Sequence, residues 1–383
     1  LLEKSGGVDY LLRLSESVPT VSHSDHYLKI LHNKATLRKI IRETTRIAEE
    51  AYGDVDDIDE FIDDTEKTIL KVTQERSAGE FRDIRGVIRS VTDRLNLLQK
   101  IDGNISGVKS GFRDLDKITS GFQKGDLIIL AARPAMGKTA FALNIAHNAA
   151  FKSEEPVAIF SLEMPAEQLV QRIICSMGGI EGSSIRTGEI LKTNANKYYA
   201  AAERVSKCNM YIDDSPGIKI NDIVAKSRKL KSEHGLKLIV IDYLQLITSS
   251  SKNRENRQQE VSEISRTLKA LARELEVPVI SLSQLSRSVE QRPNKRPMMS
   301  DLRESGAIEQ DADIVSFIYR EDYYKDPSEQ TENSGLTEII IAKHRNGATG
   351  EVNLAFEKNY SRFSDLAHVG PDGTSEGVRD LRS

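Results

Sequence analysis

A chain of 383 residues with 38% hydrophobic and 29% charged residues, 24 Gly, 10 Pro and no Trp is long enough for two domains. That composition excludes collagen-like, wholly disordered and disulfide-scaffold classes. The net charge of −4 argues against a strongly basic nucleic-acid binder, yet it is an average: ten acids and no base lie between Glu49 and Glu66, so the remainder sums to +6.

The chain begins at Leu1 rather than Met, inside a helical pattern, so part of the N-terminus is expected to be missing. No charged-then-apolar leader opens it and no apolar run approaches ~20 residues, so neither export nor a membrane span is expected and the location reads as cytoplasmic. Residues 1–75 carry helical periodicity in two stretches, Leu28, Leu31, Leu37, Ile40, Ile41 and Ile47, then Ile58, Phe61, Ile62, Ile69 and Val72. They meet near Tyr52-Gly53-Asp54 as a helical hairpin. His23 and His26, ahead of the first arm, read as solvated loop and cap residues. After a polar break at Ser77-Ala78-Gly79, the residues Phe81, Ile84, Val87, Ile88, Val91, Leu95 and Leu98 form one apolar stripe, predicting an amphipathic helix of about five to six turns within a linker, 76–105. Such a stripe must fold back on its own chain or dock on a neighbour.

From 106 to 368 short apolar strands alternate with amphipathic helices: 126–132, 157–163, 237–246, 277–284 and 313–320. The early strands lack period-2 alternation, as strands buried on both faces of a parallel sheet do, so the fold class is α/β with a mainly parallel sheet. TEIIIAKHR and EVNLAFE flank Asn346-Gly347, which predicts a tight hairpin with positive φ at the turn. The tail 369–383 is expected to be flexible.

The run Arg133, Pro134, Ala135, Met136, Gly137, Lys138, Thr139, Ala140, between a strand and a helix, matches a phosphate-binding loop, with Ala132 in place of its first Gly. Main-chain N–H groups there cradle phosphate oxygens, Lys138 neutralises the β/γ-phosphates and Thr139 ligates Mg²⁺. Asp242, ending the strand LIVID, stands where open α/β sheets bind ligands and is a second candidate for the metal. Glu163, ending another strand, is the candidate to deprotonate an attacking water, against a reading as a charge at a helix start. Gln284, at a third strand end, is a γ-phosphate reporter or a polar rim residue. Lys343 and Arg345, two apart on a strand, leave one face together, either as solvated charge or as a trans-acting arginine-finger pair. Leu285–Ser300 carries Arg287, Arg292, Lys295 and Arg296 against Glu290, and Ser251–Arg273 also sums to +3. Both suit phosphate contact without base stacking, with solvated surface charge as the alternative. Cys175 and Cys208 form no CxxC pair and read as reduced core thiols.

These residues in this order resemble the replicative DNA helicases of the DnaB type, which are built on a RecA-like core. The likeness is carried by GVDYLLRLSESVPT, SGFQKGDLIILAARPAMGKTAFALNIA, FSLEMPAEQL, LIVIDYLQLI, VPVISLSQLSRSVEQRPNKRPMMSDLRESGAIEQDADIV and IIIAKHRNGATG. The resemblance implies a RecA-like P-loop NTPase core at 106–368, preceded by the hairpin of a truncated N-terminal domain and a linker helix that packs on the adjacent subunit. It implies a homo-hexameric ring that translocates on single-stranded DNA at a replication fork using ATP or another NTP with Mg²⁺, and that meets a primase and a helicase loader. It also implies roles: Arg172 as an accessory active-site arginine, Lys343 with Arg345 as the finger pair, and Arg287, Glu304 and Gly306 as contacts to the DNA backbone. A recombination or repair ATPase of the same core, or a nucleotide-binding assembly factor, are the rival readings, and the long match from Arg287 to Val315 favours the helicase over both.

Overall fold

The computed structural model describes residues 24–53, 83–99, 105–248, 257–302, 306–324 and 335–366, with Tyr10 and part of 58–69. Glu304, the polar break at 77–79, His23 and the tail 369–383 lie outside the described residues. The chain divides into two compact units, Leu1–Arg94 and Leu95–Ser383.

In the first unit the helix α1 (Ser24–Ala51) realises the first periodic stretch and ends at Tyr52-Gly53, and the described residues between 58 and 69 are helical again. Leu28, Leu31, Leu37 and Ile41 remain exposed. The stripe that follows forms α2 (Ile84–Leu98), whose 15 residues make about four turns. Ile84, Ile88, Val91 and Leu95 stay on its surface.

The second unit is organised by one sheet. Its strands are β1 (Leu127–Ala132), β2 (Val157–Ser161), β3 (Met210–Asp213), β4 (Leu238–Asp242), β5 (Val279–Gln284), β6 (Ile314–Tyr319), β7 (Leu336–His344), β8 (Gly350–Glu357) and β9 (Arg362–Asp365), in the order β3-β2-β4-β5-β1-β6-β7-β8-β9. The first six are parallel and the last three antiparallel. Every residue of β1, β2 and β4 is buried, which is why those segments read as continuous apolar runs. Ile128, Leu130, Ile159 and Val240 pack on one face under helices α3 (Arg113–Thr119), α4 (Lys138–Lys152) and α5 (Ala166–Gly178). Leu127, Ile129, Phe160 and Ile239 pack on the other under α6 (Ile220–His234) and α7 (Arg257–Leu275).

Three features depart from the sequence reading. β3 and β9 have no counterpart in it: each has four residues and lies at a sheet edge, too short to carry a periodicity. The segment expected as strand to 246 leaves the sheet at Asp242 and turns through a 3-10 helix, Leu244–Leu246. The β7–β8 hairpin is present, but its last pair is Ile341 with Gly350, and neither Asn346 nor Gly347 has positive φ. The turn is wide, and the ring of His344 lies against Gly347, where a Cβ would have to displace it.

Candidate active site

The parallel strands all end at one edge, and β1 is flanked there by β5 and β6 rather than by β2, the kind of crevice where open α/β sheets take ligands. The loop 133–137 leaves β1 at this edge. Ala135 (φ 65°) and Gly137 (φ 94°) turn it through the left-handed region, and the N–H of Phe141 donates to the Gly137 carbonyl at 2.9 Å to start α4. Met136 is buried and anchors the loop from beneath, while Pro134 and Ala135 are exposed. Behind Gly137 stand the rings of Phe356 and Phe363, stacked at 4.3 Å; a Cβ on Gly137 would meet both at 3.1 Å. The N–H groups of the first turn of α4 carry the positive end of its dipole at the end of this loop.

Two loop side chains converge on Asp242. The Thr139 hydroxyl donates to Asp242 Oδ2 at 2.7 Å, and Lys138 Nζ lies 3.9 Å from Oδ1 and 4.8 Å from the centre of the Tyr243 ring. Burial pushes the Lys138 ammonium below its ordinary pKa, against the opposing pull of Asp242 and Glu163. A poorly solvated cation of this kind is stabilised by phosphate oxygens. Asp242 is buried and its Oδ1 accepts no hydrogen bond among the described residues. One hydroxyl and one carboxylate with an unsatisfied buried oxygen make a hard-oxygen donor set that fits Mg²⁺.

β2 ends beside β4, with Ser161 in register with Asp242 and the Leu162 N–H donating to the Asp242 carbonyl at 2.7 Å. This holds the exposed Glu163 near the loop, where its charge acts on both Lys138 and Tyr243. Gln284 ends β5 in register with Ala132 and lines a cleft of about 450 Å³ with Arg133, Leu285, Ser286 and Arg287. A second cleft of about 460 Å³ adjoins Ala135 and is bordered by Arg320, Tyr323, Phe356 and Tyr360. Arg172 stands half-buried on α5, where its charge acts on Cys175; among the described residues no hydrogen bond joins it to Lys138, Thr139 or Asp242.

Lys343 and Arg345 are brought together, but elsewhere. Lys343 pairs across from Val315 near the start of β6, and Arg345 lies just past the end of β7. Their side chains donate to the Glu309 and Gln310 carbonyls of the short helix α9 (Gly306–Asp311), which follows α8 (Ser288–Gln291) in the chain. Burial and the neighbouring Arg345 push the Lys343 ammonium down. Because β7 runs antiparallel, the pair lies back from the loop along the sheet, Lys343 level with Ile129 and roughly 10 Å along β1, Arg345 roughly 17 Å, and both two strand spacings (~10 Å) across. Neither side chain spans that distance.

The stretch 285–300, expected as a loop of phosphate-binding cations, is largely internally paired. Arg292 binds Asp301 at 2.6 Å, Arg296 binds Glu338 at 2.7 Å and Glu351 at 2.5 Å, and Lys295 sits 4.7 Å over the Tyr324 ring. Arg287 stands at the N-cap position of α8 without a side-chain capping bond and has no acidic partner among the described residues. Gly306 begins α9. Sequence reasoning missed Tyr243, Phe356 and Phe363, which shape the loop from outside it, and the side-chain contacts of Arg133. The only sequence signal for Tyr243 was its position directly after Asp242.

Residues 107–365 match the DnaB-like helicase C-terminal domain. The chain is 54% identical over 365 residues to the replicative DNA helicase DnaB of Geobacillus stearothermophilus, covering 95% of this chain and 80% of that protein. Among solved structures it is similar to a DnaB-like replicative helicase described with its interactions with primase, at 37% identity and TM-score 0.79 over 95% of this chain and 84% of that one. It is also similar to a separately solved ATPase domain, at 43% identity and TM-score 0.70 over 75% of this chain and 100% of that one.

Proposed function

The chain belongs to the DnaB-like replicative helicases, ATP-dependent DNA helicases with an α/β core, and from that premise we propose how its own residues divide the work. The reading is carried by one observation: Thr139, Lys138 and a buried, half-satisfied Asp242 meet at the carboxyl edge of the sheet, where the loop 133–137 opens α4.

The main chain of Arg133–Ala140 cradles the phosphates, and Lys138 neutralises the β- and γ-phosphoryl oxygens. Thr139 and Asp242 hold Mg²⁺, which when bound neutralises charge on the phosphoryl oxygens. Glu163 orients the attacking water and takes its proton, and Gln284, the last residue of β5, reads the γ-phosphate and passes it to Leu285–Arg287, which follow directly in the chain. Arg172 is an accessory cation on the β2 side. The cleft beside Ala135, with the guanidinium of Arg320 and the rings of Phe356 and Tyr360, has the size and lining for the nucleoside base.

Lys343 and Arg345 serve a neighbouring subunit's nucleotide, a reading supported by their place well back from the loop along their own sheet. Such a heterologous contact repeats around a homo-hexameric ring, with α2 packing on the adjacent subunit. Arg287, Glu304 and the main chain at Gly306 contact the backbone of single-stranded DNA, and hydrolysis shifts that contact along the strand. Primase is a partner, as for the solved relative described with it, and a loader delivers the ring to the fork. Localisation follows the substrate: the protein works on DNA in the cytoplasm, and among the described residues no helix is long and apolar enough to cross a membrane. Lys138→Ala is expected to abolish both DNA-stimulated NTP hydrolysis and unwinding of a forked duplex; near wild-type turnover in that variant overturns the assignment.

A further inference from the structure

Arg133 is the first residue after the β1 strand, yet its side chain does not point along the phosphate loop. It is buried, 8% exposed, and its guanidinium donates twice to one segment: Nε to Glu290 Oε1 at 2.8 Å, and Nη1 to the Leu285 carbonyl at 2.8 Å. The Leu285 N–H returns a bond to the Ala132 carbonyl at 3.1 Å. Three hydrogen bonds thus join the root of the phosphate loop to the segment that carries Arg287.

That segment is tied together internally. Leu285 and Leu302 bridge its two ends, the Ser286 N–H donates to the Asp301 carbonyl at 2.9 Å, Arg292 holds Asp301 from within, and Leu285, Val289 and Leu302 are buried. Glu290 lies on α8, three residues from Arg287, so both belong to one helical turn. The planar guanidinium, fixed by a carboxylate and a carbonyl at once, transmits displacement with little slack.

We infer that Glu290, acting through Arg133, is a positioning residue that couples nucleotide occupancy of the phosphate loop to the Arg287 segment. The inference rests on the reading of Arg287 as a DNA contact. It predicts a linkage: nucleotide changes the affinity for single-stranded DNA, DNA changes the affinity for nucleotide by the same factor, and the Arg133–Glu290 pair carries much of that factor. Glu290 touches neither ligand, so its loss leaves each separate affinity intact and reduces only their product term.

The test uses the assembled full chain, a non-hydrolysable ATP analogue with Mg²⁺, and a fluorescent oligothymidylate. For wild type, Glu290→Ala, Glu290→Gln, Arg133→Lys and Arg287→Ala, the oligonucleotide Kd is measured with and without saturating analogue, and the analogue Kd without DNA. Wild type should show a ratio of about tenfold or more. Glu290→Ala should fall below about threefold while its DNA-free analogue Kd stays at the wild-type value; it leaves the buried Arg133 without its carboxylate, so its thermal midpoint falls, and Glu290→Gln, which keeps an acceptor, should recover part of both the ratio and the midpoint. Arg133→Lys, with a point charge in place of the fork, should be intermediate. A wild-type ratio in both Glu290 variants, with Arg287→Ala weakened for DNA, overturns the inference alone. Unweakened DNA binding by Arg287→Ala overturns the reading of the segment as a DNA contact, and the inference with it.

Discussion

If Lys343 and Arg345 complete a neighbour's site, two individually inactive variants should restore activity when mixed. Arg345 begins some 17 Å along β1 and ~10 Å across from the loop of its own subunit, so removal of its side chain cannot disturb that subunit's phosphate contacts directly. A finger of this type contributes a factor of 10³–10⁵ to turnover, or about 4–7 kcal/mol of transition-state stabilisation, so Arg345→Ala should be inactive within the background of most assays. Asp242→Ala should be equally inactive for lack of the metal carboxylate. In rings assembled at random from equal amounts, an interface works when its loop comes from an Arg345→Ala subunit and its finger from an Asp242→Ala subunit, which is roughly a quarter of interfaces. The assay is basal NTP hydrolysis without DNA, which does not require the subunits to fire in order, after dissociation and reassembly checked by mass. Turnover near a quarter of wild type supports a trans site. Turnover no greater than the mean of the two parents, in rings shown to be mixed, refutes it.

Three further outcomes follow from the packing. His147, on α4, is held near pKa 4 by burial and to a lesser extent by Lys152, and its Nε2 has no hydrogen-bond partner among the described residues. The unfolded chain titrates near 6.5 and binds that proton first, so stability should be lost as pH falls from about 6.5 towards 4, by up to ~3 kcal/mol. His147→Phe, beside Phe151, should flatten that dependence in urea melts at pH 7 and pH 5, and an equal pH dependence in the variant refutes the assignment. Gly137→Ala forces a side chain into φ 94° against Phe356 and Phe363 and should cost about 1–2 kcal/mol or more together with nucleotide affinity; wild-type thermal midpoint and binding would contradict it. Lys269 and Asp313 form a buried ion pair in which Asp313 also accepts the Leu127 N–H at 2.8 Å and keeps Arg345 at 3.7 Å, so Lys269→Met should cost about 1.5–3 kcal/mol in denaturant melts, and no measurable loss would show the pair to be dispensable.

The parallel sheet was legible because burial on both faces leaves a mark in the sequence: the uninterrupted apolar runs of β1, β2 and β4. The phosphate loop was legible because its chemistry is local, with Gly137, Lys138 and Thr139 consecutive in the chain. Asp242 was found by position, as a carboxylate at a strand end. What stayed hidden depends on the sheet order. Strands β1 and β4 are separated by β5, and no periodicity says so, nor that Phe356 and Phe363, more than two hundred residues downstream, back Gly137. The Asn346-Gly347 pair misled for a different reason: the strands part at Ile341 and Gly350, so the connection is wider than a two-residue turn and needs no positive φ at either residue.

The charge pattern is the other case in which position overrides composition. Leu285–Ser300 sums to +3, yet Arg292 and Arg296 neutralise Asp301, Glu338 and Glu351, and Lys295 lies on an aromatic ring. Their work is to hold the segment rigid. If Arg287 and the main chain at Gly306 are the contacts to single-stranded DNA, as proposed, each subunit releases few counterions, about 0.7 per phosphate neutralised, so the affinity of one subunit should be small and its salt slope shallow. That suits a motor. A contact that must be broken and remade with every hydrolysed nucleotide cannot be strong, and retention on the strand falls instead to the closure of the ring around it. The acidic block at Glu49–Glu66, which makes the whole chain appear unsuited to DNA, belongs to the other unit of the chain.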